Sequence, residues 1–99
     1  MGNLSKRAFK TELFEEFARI GKALSSGRRL ELIELLAQGE RAVEELAAET
    51  GMSVANTSQH LQVLRSAHLA AVRRSGTYAW YRLSDENVLR LWLTLREVG

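Results

Sequence analysis

Leu13, Phe14, Phe17, Ile20 and Leu24 recur at steps of three and four, with Glu12, Glu15, Glu16, Arg19 and Lys22 between them. That is the period of an amphipathic helix. With Phe9 included, the stripe carries every phenylalanine of the chain. It is more apolar bulk than a terminal helix needs for one small core, so part of it is expected to meet a partner. Ser26 is placed to cap a second helix from about Gly27 to Gln38, with Leu30, Ile33, Leu36 and Ala37 on its apolar side and Gly39 as its stop. A third, from about Ala42 to Thr50, puts Val43, Leu46, Ala47 and Thr50 on one face. Gly51 then supplies a left-handed residue, and Ser53 caps a fourth helix almost at once. Helix, glycine-containing turn, helix is the local plan of a helix-turn-helix.

At 100° per residue, Val54, Thr57, Leu61 and Leu64 fall on one side of the fourth helix, and Ala55, Asn56, Gln59 and Gln62 on the other. The polar side is rich in amides and carries no charge. A solvated helix face more often shows Glu and Lys, whereas an amide offers a donor beside an acceptor, the pattern of a base edge in the major groove. A surface helix that happens to be amide-rich is the competing reading. After Ala67 the period becomes extended. Leu69 to Arg74 and Thr77 to Leu83 read as two strands joined by Ser75-Gly76, with Arg73 and Arg74 flanking the tip. Strand alternation should bury about half of Tyr78, Trp80 and Tyr81. Ser84 or Asp85 starts a last helix, lined by Val88, Leu89, Trp92 and Leu95, widened by Leu91 and ending near Gly99. The fold class is mainly α with a two-stranded β-hairpin: four helices, a wing and a closing helix, a winged helix-turn-helix. Residues 1–99 read as one DNA-binding and dimerisation domain.

Composition narrows the chemistry. With 99 residues, 45% of them hydrophobic and 26% charged, the chain has material for one modest core and no membrane span. Its start has no apolar signal-peptide core, which points to the cytoplasm. Cysteine is absent, and the only imidazoles are His60 and His68. Thiolate chemistry is therefore excluded, no cofactor is expected, and no transition-metal site is expected. The net charge of +2 is unevenly laid out: residues 51–84 hold four arginines and no acid, whereas residues 30–50 hold six acids and one base. Catalysis has no support, since there is no nucleophile and base pair, no glycine-rich phosphate loop and no metal cluster. A protein-interaction winged helix without DNA binding is the alternative, but it leaves the acid-free window unexplained.

The run from Ser53 to Leu69, with Ser58-Gln59-His60-Leu61 at its centre, resembles the recognition helix of the ArsR/SmtB family of winged-helix repressors. Arg28-Arg29-Leu30-Glu31-Leu32 resembles that family's second helix, and Arg73 to Leu83 its wing. Residues 17–83 are especially similar to the DNA-binding half of members fused to a rhodanese-like domain. The resemblance implies a homodimer that sits on an inverted-repeat operator of double-stranded DNA, represses transcription and leaves when an inducer binds; a partner protein is the other regulator considered. Metal-sensing members carry Cys-Val-Cys-Asp-Leu where this chain reads Ala42, Val43, Glu44, Glu45 and Leu46. Some use a second metal site on the last helix; Asp85 is present here, but Asn87 stands in place of its first His and no later His follows. The sensing half of the family function is thus not expected to carry over.

On this reading Asn56 and Gln59 read bases, Ser53, Ser58 and His60 approach phosphates, and Arg73 and Arg74 serve the wing. His60 is either structural or phosphate-contacting. Thr57, on the apolar side, is structural, His68 needs no function, and Glu44-Glu45 form a solvated face. Dimerisation is assigned to Phe9, Leu13, Phe17 and Leu24 of the first helix against Leu91, Trp92 and Leu95 of the last.

Overall fold

Ser26, Ser53 and Asp85 decide where three of the helices begin. Each side chain accepts a backbone N–H three residues on: Arg29 at 3.3 Å, Asn56 at 3.0 Å and Val88 at 3.1 Å. Each satisfies one of the donors a helix start leaves unpaired. The computed structural model describes residues 2–99, and side chains from residue 5 onward. Its elements are α1 (Gly2–Ala23), α2 (Gly27–Ala37), β1 (Arg41–Ala42), α3 (Val43–Thr50), α4 (Val54–Ser66), β2 (Ala70–Ser75), β3 (Tyr78–Leu83) and α5 (Glu86–Val98). This is the winged helix-turn-helix that the pattern predicts, with one short strand added.

The ends of α3 and α4 are built differently. The residue before α3 is Ala42, which has no capping oxygen; the Glu45 carboxylate instead accepts the Ala42 N–H at 3.0 Å. Gly51 closes α3 at φ 73°. At the end of α4 the His68 N–H bonds the Arg65 carbonyl and the Leu69 N–H bonds the Leu64 carbonyl, both at 2.9 Å. That is a Schellman motif, and His68, at φ 61°, occupies the left-handed position that glycine usually fills.

Leu32 and Ile33 of α2, Leu46 of α3, and Leu61 and Leu64 of α4 are sealed from solvent, and Tyr81 and Val88 close the core from the sheet and α5. Thr57 is equally buried; its hydroxyl donates to the Ser53 carbonyl at 2.8 Å, so it is structural. Val54 departs from expectation. It lies at the first position of α4, before the part of that helix that packs on the core, and is 47% exposed.

The sheet runs β1-β3-β2, antiparallel throughout. Ser75 pairs with Tyr78, so the turn is Gly76-Thr77, one residue later than Ser75-Gly76. Gly76 takes the first central position at φ 61°, where a tight hairpin needs a left-handed residue. The added strand places Arg41 opposite Tyr81 and Ala42 opposite Trp80. Two residues are too few to show a period, which is why the pattern predicts only the hairpin.

Among the described residues α1 joins the core through its last turn, with Ala23 buried in it and Ile20 and, just past the helix end, Leu24 packed against it. The molecule measures 52 × 34 × 22 Å. Its radius of gyration is 15.5 Å, against about 13 Å for a compact chain of this length. Among the described residues no helix is long and apolar enough to cross a membrane.

Candidate nucleic-acid interface

Because Thr57, Leu61 and Leu64 lock one side of α4 into the core, the other side is fixed outward. Asn56, Gln59 and Gln62 are exposed there, in a helix held rigidly at both ends. Ser53 is exposed at its start, with its oxygen occupied as the cap and its own O–H available. Ser58 is half-buried on one flank and His60 half-buried on the other. The amide face that the sequence singles out therefore exists as a surface, and it carries no acid.

His60 has a partner that the sequence does not announce. Its Nδ1 lies 3.4 Å from Nη1 of Arg29. The same guanidinium donates from Nε to the Ala23 carbonyl at 2.7 Å and from Nη2 to the Lys22 carbonyl at 3.0 Å. Arg29 thus closes the carbonyl end of α1 and abuts the recognition-type helix. Arg28 ties α2 to the end of α3 by donating to the Thr50 carbonyl at 2.9 Å. The Arg28-Arg29 pair was legible as a motif, but contacts that cross the fold leave no local periodicity.

The wing arginines are not equivalent. Arg73 lies opposite Trp80, two pairs below the closing pair Ser75 and Tyr78. Its Nε donates to both Glu40 carboxylate oxygens, at 3.1 and 2.9 Å, and Nη2 donates to one of them at 2.8 Å. The guanidinium also sits 5.6 Å from the centre of the Trp80 ring. The Arg73 hydrogen bonds hold the Glu40 carboxyl below its usual range, aided by the charges of Arg73 and Arg82, and Glu40 in turn raises Arg73. Arg74 is exposed opposite Ala79, on the other face of the hairpin, and has no ion pair among the described residues. Glu40 is the residue that sequence reasoning missed, because it pairs with a partner 33 positions away.

The positions that match the family's metal motif do other work. Ala42 and Val43 are buried, Glu45 caps α3, and Glu44 is exposed. Among the described residues no three His, Cys, Asp or Glu side chains are grouped to hold a metal ion.

The residues assigned to dimerisation fall into two groups. Phe9, Leu13 and Phe17 stand exposed on α1, joined by Phe14, whose ring meets Phe17 edge-on at 5.8 Å. Leu24, Leu91, Trp92 and Leu95 come together around an apolar crevice of about 10 Å³. Leu91 and Leu95 are exposed, while Leu24 and Trp92 are half-buried against the core and so also hold the protomer together.

Known proteins share this fold. The family profile described as bacterial regulatory protein, arsR family, matches residues 26–74. HTH-type transcriptional regulator Rv0324 of Mycobacterium tuberculosis is 48% identical over 90 residues, which are 91% of this chain and 40% of that protein. This chain thus spans less than half the length of that relative. The arsenical resistance operon repressor of Bacillus subtilis is 34% identical over 80 residues, covering 80% of this chain and 76% of the repressor. Among solved structures, the homodimeric winged helix-turn-helix DNA-binding domain (fragment 1–100) of a possible ArsR-family regulator from Mycobacterium bovis is 48% identical. It superposes with a TM-score of 0.87 over 90% of this chain and 82% of that one. The wing, the helix-turn-helix and the relatives agree: the chain belongs to the ArsR family of bacterial transcriptional regulators.

Proposed function

We propose that this chain is a homodimeric repressor that binds an inverted-repeat operator, reading bases with Asn56 and Gln59. Ser53, Ser58 and His60 border the phosphate backbone, and Arg73 and Arg74 bring the wing to it. The observation that carries the reading is the outward amide face of α4, uncharged and held rigid by Thr57, Leu61 and Leu64 beneath it. Two such helices in a two-fold dimer would read two half-sites about one helical turn apart. One unit then serves both DNA binding and dimerisation.

The sensing half of the family function does not follow the cysteine route. With no cysteine in the chain, and with Glu45 committed to capping α3, we infer that zinc, copper, arsenite and persulfides leave DNA binding unchanged. An inducer or partner protein would act elsewhere, and the crevice of about 10 Å³ beside Trp92 has room for little more than a water. The finer resemblance of residues 17–83 to rhodanese-fused members is part of this reading.

Selection of bound duplexes from a random pool tests the whole reading. A palindrome should be enriched. Asn56→Ala and Gln59→Ala should each cost about 1–3 kcal/mol on the enriched site and relax base choice at one position per half-site. Failure to enrich any sequence, with random duplex left unbound at low salt, would favour a protein-interaction role instead.

A further inference from the structure

We propose that Glu40 is a specificity-determining residue of the DNA interface: it holds Arg73 on the wing and withholds that cation from any duplex on which the wing is not firmly docked. The inference rests on the DNA-binding reading above.

Glu40 is the residue before β1, and β3 lies between β1 and β2. The carboxylate and the guanidinium therefore meet across β3, over Trp80. A guanidinium has five N–H groups. Glu40 engages the Nε–H and one of those on Nη2, all within 3.1 Å, and Nη1 makes no hydrogen bond among the described residues. That edge can still meet a phosphate, but that phosphate must either tolerate the carboxylate beside it or displace it. Arg74 faces no such competition among the described residues, so the two neighbouring arginines of the wing differ in the charge they deliver.

The consequence differs between operator and random DNA. Affinity for random duplex is a sum of cation–phosphate contacts, each adding about 0.9 to the salt slope; a cation whose charge an adjacent carboxylate already balances adds less. On random DNA the recognition helix is not seated, the wing is loosely placed, and the intramolecular carboxylate wins. On an operator, base contacts by α4 hold the wing against the backbone. A phosphate then replaces Glu40 without further ordering of the chain. Glu40 thus lowers non-specific affinity more than operator affinity.

The test compares Glu40→Gln with Glu44→Gln in the full chain. Both remove one negative charge, but Glu44 is exposed on α3 and makes no ion pair among the described residues. Binding to a random duplex and to the selected operator is measured across salt, with thermal unfolding to confirm that both variants fold. E40Q should steepen the random-duplex slope by up to about 0.9, so that its gain over wild type is up to roughly threefold larger at 50 mM than at 200 mM salt. E44Q should leave the slope unchanged. Adding Arg73→Ala to E40Q should remove the gained slope, whereas Arg73→Ala alone should lower operator affinity and should not steepen the random-duplex slope. Equal slopes for E40Q and E44Q, or weaker binding by E40Q, would overturn the proposal while leaving the DNA-binding reading standing. Absence of binding by wild type and both variants alike would overturn the two together.

Discussion

At the scale of single residues, His68 is where local preference and tertiary structure disagree. The Schellman geometry at the end of α4 requires a left-handed residue at this position, and His68 adopts it at φ 61°. His tolerates that region better than β-branched residues, yet glycine holds it without steric cost. His68→Gly should therefore raise stability by about 0.5–1 kcal/mol in urea unfolding, and His68→Val should lower it by more than that. The carbonyl of His68 accepts the Ser84 hydroxyl at 2.6 Å, a bond through the backbone that either variant keeps. Glu40 supplies a pH dependence. Its carboxyl is held low when folded, chiefly by the Arg73 hydrogen bonds. A depressed pKa contributes stability above the unfolded value, about 4.3, and loses it as pH falls through the folded value. Wild type should thus lead Glu40→Gln near neutrality, with the lead shrinking below about pH 4.3. The lead should be small, because the pair is open to solvent. A lead that grew on acidification would reverse the sign.

At the scale of elements, what could be read early was whatever the chain encodes locally. Ser26 and Ser53 signal helix starts by their own hydroxyls, Gly51 signals the turn between α3 and α4, and the alternation through Tyr81 signals a strand. What escaped depends on distant partners. β1 exists because β3 pairs with it, Glu40 finds Arg73 only after the sheet forms, and Val54 is exposed because its turn lies before the packed part of α4. Arg29 belongs to the same class. It satisfies carbonyls at the negative end of the α1 dipole and touches His60 of α4, so it fixes the α1 terminus relative to α4. Arg29→Ala should cost about 1–2 kcal/mol in urea unfolding, the range for bonds to a charged donor reduced for partial exposure. Arg29→Lys should recover less than half, because one ammonium cannot reach two carbonyls and the imidazole together. Full recovery by lysine would mean that charge, and not the fork geometry, holds the helix.

At the scale of the whole molecule, the shape of α1 makes a prediction that its neighbours do not. Among the described residues Ile20, Ala23 and Leu24 join it to the core, yet Phe9, Phe14 and Phe17 lie further along it, 66%, 64% and 52% exposed. Each aromatic side chain offers about 150–250 Å² of apolar surface. With Leu13 the set makes a continuous patch of the size that soluble monomers seldom leave uncovered, and a second copy of the same helix would bury it by two-fold symmetry. The two groups of proposed interface residues can then be told apart. Phe14→Ser with Phe17→Ser removes surface that the protomer does not use for its own core. The variant should sediment as a monomer at micromolar concentration, and its melting temperature should no longer rise with protein concentration as that of wild type should. Trp92→Ala removes a side chain that also packs against the protomer core, so its loss of stability, about 3 kcal/mol, should persist at every concentration. If the phenylalanine variant stayed dimeric, the assembly would have to rest on Leu91 and Leu95 of α5 or on Phe9 and Leu13, the part of the α1 face left in place. Sedimentation equilibrium of Leu91→Ser with Leu95→Ser, run beside the α1 variant, decides which helix carries it.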